Sequence, residues 1–259
     1  MSNALLGELV KGLAAGEIKL VDLTETLRPE YPTITLPEEF SQAWGFKKET
    51  ISHYDENGPG WSWSNFSMSE HTGTHLDAPT HWVTGKDVAN GTVDTMPLQQ
   101  MIAPVCVIDC SAEVAQDKGY ILTRDRLLEW EKTHGVIPAG SWVFLRSDWR
   151  KVADPDNYTN LQDDGAHSPG PDKDAVLWMI EERDVLGFGT ECVGTDAGQA
   201  FAMDPPFPCH HFMHGAGRLG LQCMTNLDLL PATGAVVIST PLKIIEGSGS
   251  PLRVLAMVP

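Results

Sequence analysis

Hydrophobic positions along the chain follow helical spacing in some segments and strand spacing in others, which predicts a protein of the α/β or α+β class. Apolar residues at 5, 6, 9, 10 and 13 repeat with helical period, and Gly16 closes this segment. Thr123 and Gly135 bracket a second predicted helix as its cap and its stop. Residues 175–185 have the amphipathic spacing of a third helix.

Short apolar runs predict the strands of a buried sheet. They cover residues 18–23, 105–110, 141–146, 187–196, 234–240 and 252–258. Segments rich in proline, glycine and polar residues, above all 55–60 and 152–172, are predicted loops. Residues 211–222 are predicted as a helix that three glycines interrupt. No G-x-G-x-x-G follows a strand, so the pattern favours a single domain over residues 1–259 without a dinucleotide-binding unit.

Composition and charge narrow the class of partner and the compartment. The 259 residues are 42% hydrophobic, enough for a core without disulfides, and the net charge of −17 disfavours nucleic acid as a partner. The five cysteines are odd in number and form no C-x-x-C pair, which is typical of a reducing cytoplasm. The sequence has no signal-peptide pattern and no membrane-length apolar run, so we expect a cytoplasmic protein without a membrane partner.

Chemistry concentrates in residues 71–81, which read HTGTHLDAPTH. Imidazole nitrogens of His71, His75 and His81 and the carboxylate of Asp77 suit a divalent ion such as zinc or manganese. If three of these residues bind the ion, its remaining coordination positions are open for water and substrate, as in catalytic metal sites. An extended strand would separate residues 71 and 77 by about 20 Å, so the segment must turn. Gly73 is placed to let the backbone do so.

A second histidine cluster, CHHFMH at residues 209–214, precedes Gln222. Each histidine of this cluster could be an additional metal ligand or a hydrogen-bond donor to the substrate. An ordinary buried histidine is the alternative, and the sequence alone favours neither interpretation. A nucleophilic Cys209 is disfavoured because the first cluster already supplies an activated water. Trp61, Trp63 and Trp82 bracket the first cluster and predict a pocket for a planar apolar substrate, with a core role as the alternative.

The run HTGTHLDAPTH resembles the signature of the cyclase superfamily, which includes bacterial kynurenine formamidases and isatin hydrolases. The resemblance implies a swivelling β/β/α fold around a central β-barrel-like core, in a homodimer or larger homo-oligomer. It implies that His71, His75 and Asp77 bind a metal ion and that His81 is the acid/base. It extends from VDLTETL at 21–27 through FLRSDW at 144–149, GTDAGQ at 194–199 and residues 210–231 to residues 241–258.

One departure from the formamidase pattern concerns the second metal ion of those enzymes. A histidine and a glutamate twelve residues later hold that ion, whereas this chain has His210 followed by Gln222. A neutral amide supplies no charge, so we expect one divalent ion per chain. This glutamine-bearing pattern is similar to that of the isatin hydrolases, which makes manganese the expected metal and zinc the alternative.

We therefore predict a metal-dependent hydrolase that opens the cyclic amide of isatin to isatinate. His81, with a pKa near neutrality, would move the proton, while Trp61, Trp63, Trp82, His210 and Gln222 would bind the substrate. The first alternative is an arylformamidase acting on N-formylkynurenine. A non-catalytic metal-binding or ligand-binding protein is the second, and a non-hydrolytic lyase or cyclase with the same metal is the third.

Overall fold

The computed structural model describes residues 2–259, and their backbone forms five α-helices and fifteen strands. The helices are α1 (Ser2–Ala15), α2 (Ser111–Gln116), α3 (Arg124–His134), α4 (Trp149–Val152) and α5 (Lys173–Glu181). The strands are β1 (Lys19–Asp22), β2 (Lys47–His53), β3 (Ser62–Ser67), β4 (His75–Asp77), β5 (Ile102–Asp109), β6 (Ile121–Leu122), β7 (Trp142–Arg146), β8 (Leu161–Gln162), β9 (Gly165–Ala166), β10 (Gly170–Pro171), β11 (Gly187–Thr190), β12 (Leu219–Gln222), β13 (Ala235–Ser239), β14 (Gly249–Pro251) and β15 (Val254–Val258).

Nine strands form one mixed sheet in the order β1-β15-β13-β5-β7-β11-β12-β4-β14. The four central strands β5, β7, β11 and β12 are parallel, and antiparallel strands extend the sheet on both sides. The sheet curls into a half-barrel, which confirms the predicted α/β class with a barrel-like core. Strands β2 and β3 pair with each other in a separate hairpin.

Both faces of the sheet are covered. Val105 and Val107 of β5 enter one hydrophobic cluster, while Cys106 and Ile108 enter the other. This alternation follows from the two-residue period of a strand. Helices α3 and α5 pack on the second face through apolar residues such as Leu127. The first cluster lies under β4 and β12, and it supports the strands that carry the predicted metal ligands.

The predicted helices and main strands are confirmed with small shifts of their ends. Thr123 Oγ1 accepts the backbone N–H of Arg126 at 3.3 Å, and Gly135 ends α3 with a positive φ of 90°. Within residues 2–259, no helix is both long enough and apolar enough to cross a membrane. The strand predicted over residues 187–196 ends at Thr190, and the rest is an irregular loop.

The remaining predicted helix, over residues 211–222, is confirmed only as far as residue 215. A single π-helical turn covers His210–His214, and residues 219–222 form the strand β12. Gly217 has a positive φ of 72°, which turns the chain out of the helix before that strand. Because β12 pairs with both β11 and β4, hydrogen bonding within the sheet outweighs local helical preference.

Candidate active site

The short strand β4 carries two of the predicted ligands at the buried side of the sheet. His75 and Asp77 lie two residues apart and share a face, whereas Leu76 between them points into the first hydrophobic cluster. Strands β12 and β14 flank β4, so Asp77 lies opposite Gly220 on one side and Gly249 on the other. The pairing therefore fixes the position of the carboxylate on both sides.

The two glycines make room for the ligand side chains. A Cβ atom added to Gly249 would lie 2.4 Å from Cε1 of His71. A Cβ added to Gly220 would lie 3.0 Å from Oδ2 of Asp77. A side chain at position 249 would displace the imidazole of His71, and one at position 220 would displace the carboxylate of Asp77. The cluster therefore requires glycine on both neighbouring strands.

Imidazoles surround the Asp77 carboxylate, which is fully buried. Its Oδ1 atom lies 2.8 Å from His71 Nδ1 and 3.3 Å from His75 Nε2. Burial acts to raise the pKa of Asp77, but the nearby imidazoles of His81 and His75 outweigh it and hold that pKa well below its ordinary value. The carboxylate is therefore ionised and available to a cation.

In His71 and His75, the ring nitrogen that faces away from Asp77 also has a hydrogen-bond partner. His75 Nδ1 lies 2.7 Å from the Gly73 carbonyl, which can only accept, so Nε2 keeps its lone pair toward Asp77. His71 Nε2 lies 3.0 Å from Ser248 Oγ, and that hydroxyl donates to Glu70 Oε2 at 2.8 Å. Such outer partners set the tautomer and the orientation of metal-binding imidazoles.

His81 ends a 3-10 turn formed by Pro79–His81, and its ring faces the same cluster. Its ring centroid lies 4.0 Å from that of His71 and 5.5 Å from that of His210. Burial lowers the pKa of His81 to about 3, with Asp77 opposing the shift and the neighbouring histidines adding to it. This pKa is below the near-neutral value expected from the sequence, and the ring is uncharged at neutral pH.

Asp196 fixes the position of His210 on the side of the ring away from Asp77. Its carboxylate accepts the backbone N–H of Cys209 and of His210, and it lies 2.5 Å from His210 Nδ1. His210 Nε2 therefore faces Asp77 Oδ2, at 3.9 Å. Burial acts to lower the pKa of His210, but the contact with Asp196 outweighs it and raises that pKa. Asp196 thereby stabilises the charged form of the ring, in which Nε2 carries an N–H toward the site.

Gln222 contacts the same carboxylate from strand β12. Its Oε1 atom accepts the backbone N–H of Gly194 at 2.7 Å. Because a backbone nitrogen can only donate, this bond fixes the orientation of the amide. The NH2 group accordingly donates to Asp77 Oδ2. The carboxylate oxygen farther from His71 and His75 is thus engaged by a neutral donor.

His214 is a site residue that the sequence analysis did not select from the second cluster. It is 1% exposed, and its Nδ1 donates to the Arg218 carbonyl at 3.1 Å. Within residues 2–259 its Nε2 atom has no hydrogen-bond partner. Burial and the nearby His210 lower the pKa of His214 to about 4, so the ring is uncharged. The four-residue spacing from His210 was the available signal.

Two overlapping sets of side chains have metal-binding geometry. In the set His71, Asp77 and His81, and again in the set Asp77, His210 and His214, one ligand atom from each residue lies within 4.8 Å of the others. The predicted ligand His75 is in neither set, although its Nε2 atom lies 3.3 Å from Asp77 Oδ1. The chemistry of these nitrogen and oxygen atoms fits a divalent transition metal.

Of the three predicted substrate tryptophans, Trp82 lies at the cluster. Its ring centroid is 5.0 Å from that of His210 and 5.7 Å from that of Phe207. Trp61 and Trp63 lie on the β2–β3 hairpin and are 54% and 58% exposed. Within residues 2–259, neither side chain stacks on the site histidines.

Burial raises the pKa of Cys209 well above its ordinary value, which argues against a thiolate nucleophile.

Comparisons with known proteins identify relatives along the whole chain. Residues 21–197 match the family model described as a putative cyclase. An isatin hydrolase of Roseibium aggregatum is 46% identical over 260 residues, covering 100% of this chain and 98% of its own.

Two solved structures superpose closely on this one. The crystal structure of an isatin hydrolase bound to the product analogue thioisatinate has a TM-score of 0.97 and 45% identity, covering 100% of this chain and 99% of its own. Isatin hydrolase A from Labrenzia aggregata, bound to benzyl benzoate, has a TM-score of 0.96 and 56% identity, covering 98% of each chain.

Proposed function

The chain belongs to the cyclase family, as its sequence predicted, and we propose that it hydrolyses the ring amide of isatin to isatinate. The observation that carries this proposal is the ionised carboxylate of Asp77, which lies among imidazoles with the uncharged ring of His81 beside them. The similarity to isatin hydrolases over the full chain supports the choice of substrate.

The residues proposed to hold the metal ion are His71, His75 and Asp77. The outer nitrogens of both imidazoles are engaged and the inner nitrogens are directed at Asp77 Oδ1, so the two inner nitrogens and the carboxylate would share one cation. We propose one divalent ion per chain, manganese by preference and zinc as the alternative, since imidazole and carboxylate suit both. When bound, such an ion polarises a carbonyl and lowers the pKa of water.

His81 is proposed to move the proton. Its uncharged ring accepts a proton from the attacking water as the oxygen bonds to the amide carbon. The conjugate acid is strong, because burial disfavours the charged ring, so His81 then returns that proton to the departing ring nitrogen. The C–N bond breaks to give an arylamine and a carboxylic acid on the same molecule, and the acid ionises by releasing its proton to solvent.

The remaining polar groups are proposed to bind the substrate and steady the ligands. His210, in the charged form that Asp196 stabilises, donates from Nε2 to the developing oxyanion or to the product carboxylate. Gln222 holds Asp77 with one amide hydrogen and keeps the other for substrate. Trp82 bounds the pocket for the planar ring, and Trp61 and Trp63 remain predicted substrate contacts.

We further propose a homodimer or larger homo-oligomer in which a second copy covers the β2–β3 hairpin. Trp61, Trp63 and Phe66 are 54%, 58% and 66% exposed on this hairpin. Adjacent exposed aromatics of this size are typical of interaction surfaces. A cytoplasmic location is also proposed, because all five cysteines within the described chain are buried free thiols.

Turnover of isatin by purified protein, with and without manganese and with N-formylkynurenine in parallel, tests the proposed function. We expect metal-dependent ring opening of isatin and little release of formate. Turnover of the formyl substrate alone would favour the arylformamidase, and identification of the products separates hydrolysis from lyase or cyclase chemistry. A protein that binds metal but converts neither substrate would favour the non-catalytic alternative.

Gln222→Glu is expected to raise the metal content from one ion toward two per chain. The new carboxylate would replace the amide donor at Asp77 Oδ2, and His210 Nε2 lies 3.9 Å from that oxygen. Elemental analysis after dialysis against manganese or zinc measures the change, with Gln199→Glu as a control outside the cluster. Unchanged stoichiometry would contradict our reason for assigning one ion.

A further inference from the structure

We propose that His214 binds the substrate by accepting a hydrogen bond from the N–H of the ring amide. The assignment rests on the proposed function, and it adds a specificity contact to that site. It would make the enzyme selective for cyclic amides with an unsubstituted nitrogen.

The geometry fixes His214 as an acceptor. Its Nδ1 donates to the Arg218 carbonyl at 3.1 Å, so the lone pair of the neutral ring is on Nε2. That atom has no partner within the part of the chain described, and the residue is 1% exposed. A buried acceptor without a donor costs free energy, and a ligand that supplies an N–H removes this cost.

The position of the ring places this acceptor inside the site. His214 lies on the same π-helical turn as His210, with ring centroids 5.4 Å apart, and its centroid is 6.0 Å from that of His81. A ring nitrogen of His214 lies within 4.8 Å of the ligand atoms of Asp77 and His210. A substrate whose amide is between His81 and His210 therefore has its nitrogen within reach of His214.

The division of polar groups matches a ring amide. Its carbonyl oxygens need donors, and the charged form of His210, which Asp196 stabilises, has one at Nε2. Its N–H needs an acceptor, and the Asp77 oxygens already face His71, His75 and Gln222. With His81 assigned to the attacking water, His214 Nε2 is the acceptor that remains for the N–H.

A second metal ion is the competing use of this nitrogen, since Asp77, His210 and His214 form a possible ligand set. The Gly194 N–H fixes the Gln222 amide so that its NH2 group, with partial positive charge, faces Asp77 Oδ2. That donor occupies the oxygen a second cation would need. The observations therefore favour substrate over metal at His214.

The test compares isatin with N-methylisatin, which lacks the N–H, in the wild type and in His214→Leu and His214→Gln. We expect the wild type to favour isatin by about 10-fold to 100-fold in kcat/KM, the range for a buried polar group left unpaired. His214→Leu should lose about that factor on isatin and little on N-methylisatin. Glutamine at this position keeps an acceptor oxygen, so His214→Gln should recover part of the preference.

The matched control is His211→Leu, the same substitution on the same turn at a partly exposed position. Metal content and calorimetric affinities for both compounds are measured on every variant. An equal loss on both compounds would indicate a structural role for His214, and a drop in metal content would make it a ligand. If the wild type does not turn over isatin, the proposed function fails. The binding preference then decides the role of His214 alone, and equal affinities overturn it.

Discussion

His81→Ala is expected to lower kcat on isatin by about 100-fold to 10,000-fold, the usual contribution of a positioned general acid or base. The variant should retain its metal ion, because His71 and His75 approach Asp77 Oδ1 without His81. Small substitutions at a turn that ends at His81 leave the flanking strand β4 paired on both sides. The loss should therefore appear in kcat with little change in folding.

Steady-state kinetics and elemental analysis on the same preparations test this expectation. His134→Ala, at the end of α3 and outside the cluster, is the matched control for removing one imidazole. Loss of the metal ion together with activity would assign His81 to the ligands, which the set His71, Asp77 and His81 makes a definite alternative. If the variant kept both its metal ion and its rate, His81 would not be the base.

Asp77→Asn is expected to lower the affinity for the metal ion by more than about 100-fold, beyond the effect of losing a partner that only supports a ligand. Asparagine keeps the shape of the side chain but removes its charge, and Asp77 Oδ1 is the atom on which His71 and His75 converge. Activity should fall with metal occupancy. The backbone pairing with β12 and β14 does not depend on the side chain, so the fold should remain.

Chelator competition measures the affinity, and thermal unfolding with and without manganese gives a second readout. The wild type should gain stability on adding manganese, since an ion that binds only the folded state stabilises it, and the variant should not. Asp87→Asn, at a side chain that is 87% exposed, is the control for loss of one negative charge. Tight metal binding by Asp77→Asn would contradict the assignment of Asp77 as a ligand and would indicate that the ion binds elsewhere.

Local pattern predicted most of the elements, but not the conformation of residues 210–222. Glycines in that segment indicated an interrupted helix, and the segment is one π-helical turn followed by a strand. The turn decides which histidines face the site, because His210 and His214 lie on its inner side and His211 does not. Four-residue spacing places His210 and His214 on one face of a helix and His211 on another, but it does not show which face meets the site.

Partners that are remote in the sequence were the other feature that the pattern could not supply. Ser248 contacts His71 across 177 positions, and Glu70 in turn accepts from Ser248. Nothing in the local spacing of either residue marks it, since the contact exists only once β14 lies beside β4. The tryptophans show the same limit, because Trp82 lies at the cluster whereas Trp61 and Trp63 lie on an exposed hairpin.

The pairing of β4 with β12 and β14 has a consequence for biosynthesis. Asp77 is aligned by residues 220 and 249, so its two neighbours leave the ribosome long after it does. Until then, the nascent chain has imidazoles and a carboxylate but no frame to hold them together. Contacts over such sequence distances also form late and slowly in folding. Tight and selective loading of the ion should therefore wait until β12 and β14 have been synthesised and have paired with β4.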